Sequence, residues 1–181
     1  MSTDALIAAV LMYGVAPVWL VAGFADYLCH RAQRIEATTG LRESLLHAVQ
    51  MAEVGVPALL ALFLEVNALV LLLMLLGLVL HETTAIWDVD YAARRREVST
   101  VEQHVHGVLE RLPWFAFVLL AILHWPAVTA GVAGDGFTLA LKARPLPTAY
   151  VAALLAGMVV LGIVPFVEEL WRCWRFGRTA R

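Results

Sequence analysis

A chain of 181 residues that is 61% hydrophobic and only 15% charged, with a mean hydropathy of +0.78, holds more apolar side chains than an aqueous domain of its size buries. This sets aside the soluble globular class in favour of a membrane protein. The formal net charge of -2 decides nothing, but the basic residues are not interleaved with polar and aromatic ones, which excludes a nucleic-acid surface.

In chain order, the first apolar stretch covers about 5–25. The opening MSTDALIAAV lacks the positive segment of a secretory signal, so this stretch is read as a retained span. Its helix is expected over 4–36. The next two stretches, 54–64 and 68–80, are each too short to cross a bilayer alone. Glu65, Val66 and Asn67 between them read as a tight turn, and both helices then draw their remaining length from more polar flanks, giving 41–64 and 67–97. A fourth helix is expected over 100–128 and a fifth over 148–176. The loop at 129–147 between them contains an alternating FTLAL that suggests a short hairpin or interfacial strand. The reading is an all-α integral membrane protein, one five-helix transmembrane domain over 1–181.

Arginines orient it. Arg31, Arg34 and Arg42 flank the first connection, Arg94, Arg95, Arg96 and Arg111 the second, and Arg172, Arg175, Arg178 and Arg181 the tail, against Lys142 and Arg144 in the third. By the positive-inside rule the N-terminus is outside and the C-terminus cytoplasmic, in a membrane of the bacterial inner type. Cys29 and Cys173 then both lie toward the cytoplasm, where a disulfide is not expected.

With this topology four consecutive antiparallel helices each bring a histidine and a carboxylate to the cytoplasmic side. Helix 1 brings Asp26 and His30, helix 2 Glu43, His47 and Glu53, helix 3 His81, Glu82 and Asp88, and helix 4 Glu102, His106 and Glu110. Asp26 with His30, Glu43 with His47, and Glu102 with His106 are i,i+4 pairs on one face, and His81 with Asp88 is i,i+7. Imidazoles and carboxylates projecting inward from a four-helix bundle are how dinuclear iron and manganese sites are built. The spacing is neither the Glu-x-x-His of ferritin-like proteins nor the paired histidine boxes of membrane hydroxylases and desaturases, so the likeness is one of site type alone. His104 points about 160° away from His106 on an ideal helix, and His106 is preferred because it shares a face with Glu102. Gln50 is a candidate supporting partner, with His104 and Glu110 as alternative ligands. Glu53 lies just before the apolar VGVP, where a carboxylate is expensive, and Pro57 should kink the helix beside it.

Simpler roles compete at several positions. Asp26 with His30 makes an interfacial ion pair, Glu43 complements the helix dipole, Glu102 forms a capping box with Ser99, and Arg94 to Arg96 act as a topology signal and headgroup anchor. No chemistry is assigned to His124. Nitrogen and oxygen donors without cysteine suit two Fe ions, with Mn or Zn as alternatives. The expected function is an oxidoreductase of the di-iron hydroxylase or desaturase kind, acting on a membrane lipid or other apolar substrate with an electron-donor protein as partner. The competing readings are a proton or metal-ion transporter, a b-type cytochrome with haem, and a subunit whose polar layer is structural.

Overall fold

The structure, a computed structural model, describes residues 1–179. Among these, five helices are long and apolar enough to cross a membrane: α1 Thr3–Ala32, α2 Leu41–Phe63, α3 Ala68–Ala93, α4 Thr100–Leu123 and, after the short α5 at Trp125–Val132, α6 Thr148–Thr179. They close a ring in which α1 packs on α4, α4 on α3, α3 on α2, α2 on α6 and α6 back on α1. In α3, 44% of the most apolar window is buried, against 6–11% in the others, so α3 supplies much of the core through Val70, Leu71, Met74 and Leu78. Outward-facing positions are apolar too, including Leu72, Leu76 and Val79 of α3 and Phe115, Val118 and Ile122 of α4. An amphipathic helix facing water shows the opposite pattern.

Several helix ends differ from the expected ones for local reasons. α1 stops at Ala32 rather than 36. A short 3-10 turn at Ile35–Ala37 follows, and the chain then re-enters α2 through Gly40, whose φ of 66° suits a residue without a Cβ. Asn67 caps α3, its side chain accepting from Val70 N at 3.2 Å. α3 ends at Ala93 rather than 97 because the amides of Arg95 and Arg96 both turn back to Ala92 O, at 2.8 and 2.9 Å. Ser99 Oγ accepts from Glu102 N at 3.2 Å, which is half of the expected capping box. α4 breaks at His124 (φ -112°, ψ 38°) instead of running to 128, since Pro126 has no N–H to continue the ladder.

The FTLAL segment does not pair with itself. Glu65 N donates to Ala140 O (2.9 Å) and Lys142 N to Phe63 O (3.0 Å), so the loop folds over the α2–α3 turn through the isolated bridge between Leu64 and Leu141. The alternation supplies one extended segment, and the open backbone of the turn supplies its partner.

Two π-helical segments, Leu11–Val15 in α1 and Met158–Ile163 in α6, are not signalled by the sequence pattern. Tyr150 of α6 donates its hydroxyl to Met12 O (3.3 Å) and meets Tyr13 edge-on at 5.8 Å. A side chain that takes up a displaced backbone carbonyl is one way such bulges are held.

Pro57 sits inside α2 and cannot donate to the carbonyl of Glu53. α3 approaches that carbonyl so closely that a Cβ on Gly77 would lie 2.3 Å from it and 2.8 Å from Pro57 Cγ. Gly77→Ala is therefore expected to cost about 1–3 kcal/mol through overpacking, read as a lower melting temperature in detergent. Gly55, on α2 with open space around its Cβ position, serves as the control. Equal shifts from Gly77→Ala and Gly55→Ala would contradict the close approach.

Candidate metal centre

At the end of the ring where α1, α3 and α6 finish and α2 and α4 begin, side chains from all five long helices meet. His30 of α1 and His47 of α2 stack with ring centroids 4.4 Å apart and planes 9° from parallel. Their Nδ1 atoms lie 3.0 and 2.9 Å from the two carboxylate oxygens of Glu169 on α6. A carboxylate on Nδ1 is the arrangement that would hold each ring with Nε2 turned toward a metal, as in carboxylate–histidine–metal arrangements.

Those Nε2 atoms point at further carboxylates. His30 Nε2 is 3.5 Å from Asp26 Oδ1 and 3.4 Å from Glu102 Oε1, and His47 Nε2 is 3.1 Å from Asp88 Oδ2. From α4, His106 Nε2 reaches Asp26 Oδ1 at 2.9 Å. Yet among the described residues Asp26 Oδ1, His30 Nε2 and His47 Nε2 are buried without a well-directed hydrogen bond, and both ring nitrogens of His81 are buried with no partner. Buried polar atoms are normally paired, and here several imidazole and carboxylate atoms converge at one buried level. Ligand atoms of Asp26, His30 and His106 lie within 4.8 Å of one another, as do those of His30, Glu43 and His47. Asp26, His47, Gln50, His81, Asp88, His106 and Glu110 line a cavity of about 30 Å³, room for about two water-sized groups.

Not every expected ligand is in this group. Glu82 accepts from Trp114 Nε1 at 3.3 Å, on the α4 side of α3. Glu53 accepts from Thr84 Oγ1 at 2.9 Å and borders a larger apolar cavity instead of the small one. Gln50 donates to Asp88 Oδ2 at 3.0 Å. His104 is exposed, and the face preferred for α4 is the one that carries His106.

Glu43 and Glu102, both essentially inaccessible, are gripped by Arg96. Its guanidinium bonds Glu43 through Nη2 and Nε, Glu102 through Nη1 and Nη2, and the Gln33 carbonyl through Nη1 at 2.7 Å. Gln33 in turn donates to Glu102. Burial alone would lower the Arg96 pKa, but the carboxylates of Glu102 and Glu43 outweigh it and raise it, so this cation stays charged. Arg96 is thus no headgroup anchor. Of the three arginines, Arg94 pairs with Asp90 at the surface and Arg95 lies over the Tyr91 ring.

The residue that sequence reasoning missed is Glu169. Its signal was present: Glu168 and Glu169 follow the apolar IVPFV at the level where α6 leaves its hydrophobic run, on a fifth helix that the four-helix argument did not include. Comparison of the chain with protein-family models, curated proteins and solved structures gave no significant match. The functional reading rests on this geometry.

Proposed function

We propose that this layer is a metal centre with two positions, and that the protein is a membrane oxidoreductase acting on an apolar substrate. The observation that carries the reading is the convergence of buried imidazole and carboxylate atoms of Asp26, His30 and His106, and of His47 and Asp88, around a 30 Å³ cavity that Asp26, His47, His81, Asp88 and His106 line. One position draws on Asp26, His30 and His106, the other on His47 and Asp88 with His81 beside them. Imidazole with carboxylate favours Fe, Mn or Zn over Cu(I), and two redox-active ions would supply oxidation chemistry. The chain's own part is to orient the Nε2 atoms of His30 and His47 through Glu169, to balance the buried carboxylates Glu43 and Glu102 with Arg96, and to keep bulk water away. An electron-donor protein would meet the arginine-rich end of the bundle.

A haem between His30 and His47 does not suit the site, since rings stacked at 4.4 Å leave no space for a macrocycle. A transport path is disfavoured because the space beyond Glu53 is lined almost wholly by hydrocarbon, whereas a conduit needs polar groups at several depths. The apolar exterior and five long helices support insertion in a bilayer, and the arginines favour the metal layer on the cytoplasmic side. A reporter fused after Arg181 should then be active only inside and one at Asp135 only outside; both on one side would contradict this topology.

The metal reading is tested by His106→Ala and His104→Ala. The first removes a donor facing Asp26 and should lower metal bound per chain by roughly the 10–100-fold in affinity typical of altered metal surroundings, or more. The second, on the exposed face, should leave it unchanged. The reverse order would contradict the assignment of α4.

A further inference from the structure

A second cavity, of about 290 Å³, lies inside the ring above the metal layer. It is bordered along α1 from Ala8 to Trp19 and along α4 from Leu112 to Leu123, a length of about 16 Å at the helical rise. Between its ends the wall is almost entirely hydrocarbon. A buried apolar space stays dry or takes an apolar guest, and an elongated one between helices takes a chain.

The polar groups that border it sit at distinct places. Toward the metal layer is Glu53, whose Oε2 has no partner among the described residues, and a turn or more further up α1 lies Trp19, whose indole N–H is also buried and without one there. At the far mouth are His124 and Lys142. Lys142 Nζ donates to Leu64 O at 2.6 Å, which pins the ammonium there and leaves its other two N–H groups for another partner. The nearby carboxylate of Glu65 is occupied by Ala143 N at 2.7 Å. Among the described residues no carboxylate stands within ion-pair distance of this half-buried cation.

We infer that the cavity binds a single-chain amphiphile, its anionic headgroup at Lys142 and its hydrocarbon chain running down toward Glu53. This names the substrate class of the proposed metal centre and rests on that reading for its chemistry, but not for its binding. Either a carboxylate or a phosphate monoester supplies the headgroup chemistry.

The test uses the full-length protein in detergent with a fluorescent polyene fatty acid and its methyl ester. The acid should bind saturably and more tightly than the ester. Lys142→Gln should weaken the acid by about tenfold, an ion pair's worth, and leave the ester unchanged. Ala116→Trp, which fills the cavity from α4, should abolish binding of both while metal content stays as in wild type. If Ala116→Trp loses its melting transition, Ala58→Phe fills the same space from α2. Displacement by palmitate or by lysophosphatidic acid identifies the headgroup. Acid and ester binding equally to wild type, displacement by neither, or undiminished binding in the folded cavity-filling variant would overturn the inference. Chain binding without metal would defeat the metal reading alone, and metal without chain binding would defeat this one alone.

Discussion

Arg96→Met is expected to destabilise the bundle by about 3–5 kcal/mol, the cost of leaving the partners of a buried ion pair uncompensated. The side chain is 3% exposed, and the carboxylates it holds, Glu43 and Glu102, are 1% and 0% exposed. Removing the guanidinium strands two negative charges between α2 and α4 and releases Gln33 from its clamp. Arg94→Met makes the contrast, because its pair with Asp90 lies at the surface, where solvent screens it and its loss costs little. Arg96→Met combined with Glu43→Gln and Glu102→Gln should recover much of the loss, since the neutral set no longer buries unpaired charge. Thermal melts of the purified protein in detergent read all three. Equal, small shifts for Arg96→Met and Arg94→Met would contradict the clamp.

Glu169→Gln has the largest expected effect on the centre itself. An amide cannot accept from two imidazole N–H groups through two equivalent anionic oxygens, so His30 and His47 lose the partner that holds both Nδ1 protons in place. The same carboxylate serves both proposed metal positions. Metal affinity should fall by roughly 10–100-fold, the usual consequence of losing a supporting carboxylate, while the protein still inserts and folds, because a neutral amide costs less to bury than a carboxylate. Equilibrium titration with Fe(II) or Zn(II) under competing chelator measures it. Unchanged affinity would mean that Glu169 ties α6 to the bundle and does nothing more.

Much of this arrangement could be read from the sequence because burying a charge in hydrocarbon is expensive. Histidines and carboxylates that recur at one depth on successive helices are costly to place there without a shared partner, so Asp26, His30, His47, Asp88 and His106 stood out before any coordinates. What could not be read follows from geometry that periodicity does not encode. The reading that extended α3 to 97 took Arg94 to Arg96 together as a topology signal and headgroup anchor. The actual turn at Ala93 swings the chain back and drives that side chain under the bundle between Glu43 and Glu102. Glu53 stood out for its cost, but its carboxylate accepts from Thr84 and borders the larger cavity, a contact to α3 that spacing along α2 does not encode. Glu169 was passed over because a contact 139 residues away from His30 leaves no local spacing to detect. The α1 and α6 bulges have no pattern either, since a π-segment changes one hydrogen-bond register without changing the apolar character of the span.

The number of transition-metal ions per chain, in protein purified from membranes without chelator and measured by mass spectrometry of the metals against amino-acid analysis, decides whether the layer is a metal centre. A metal centre with two positions predicts a ratio approaching two ions per chain, of Fe or of Mn or Zn in its place. A well-folded protein that carries none, and takes up none when reduced and offered each metal in turn, would contradict it and leave the layer as a polar network that holds five helices together.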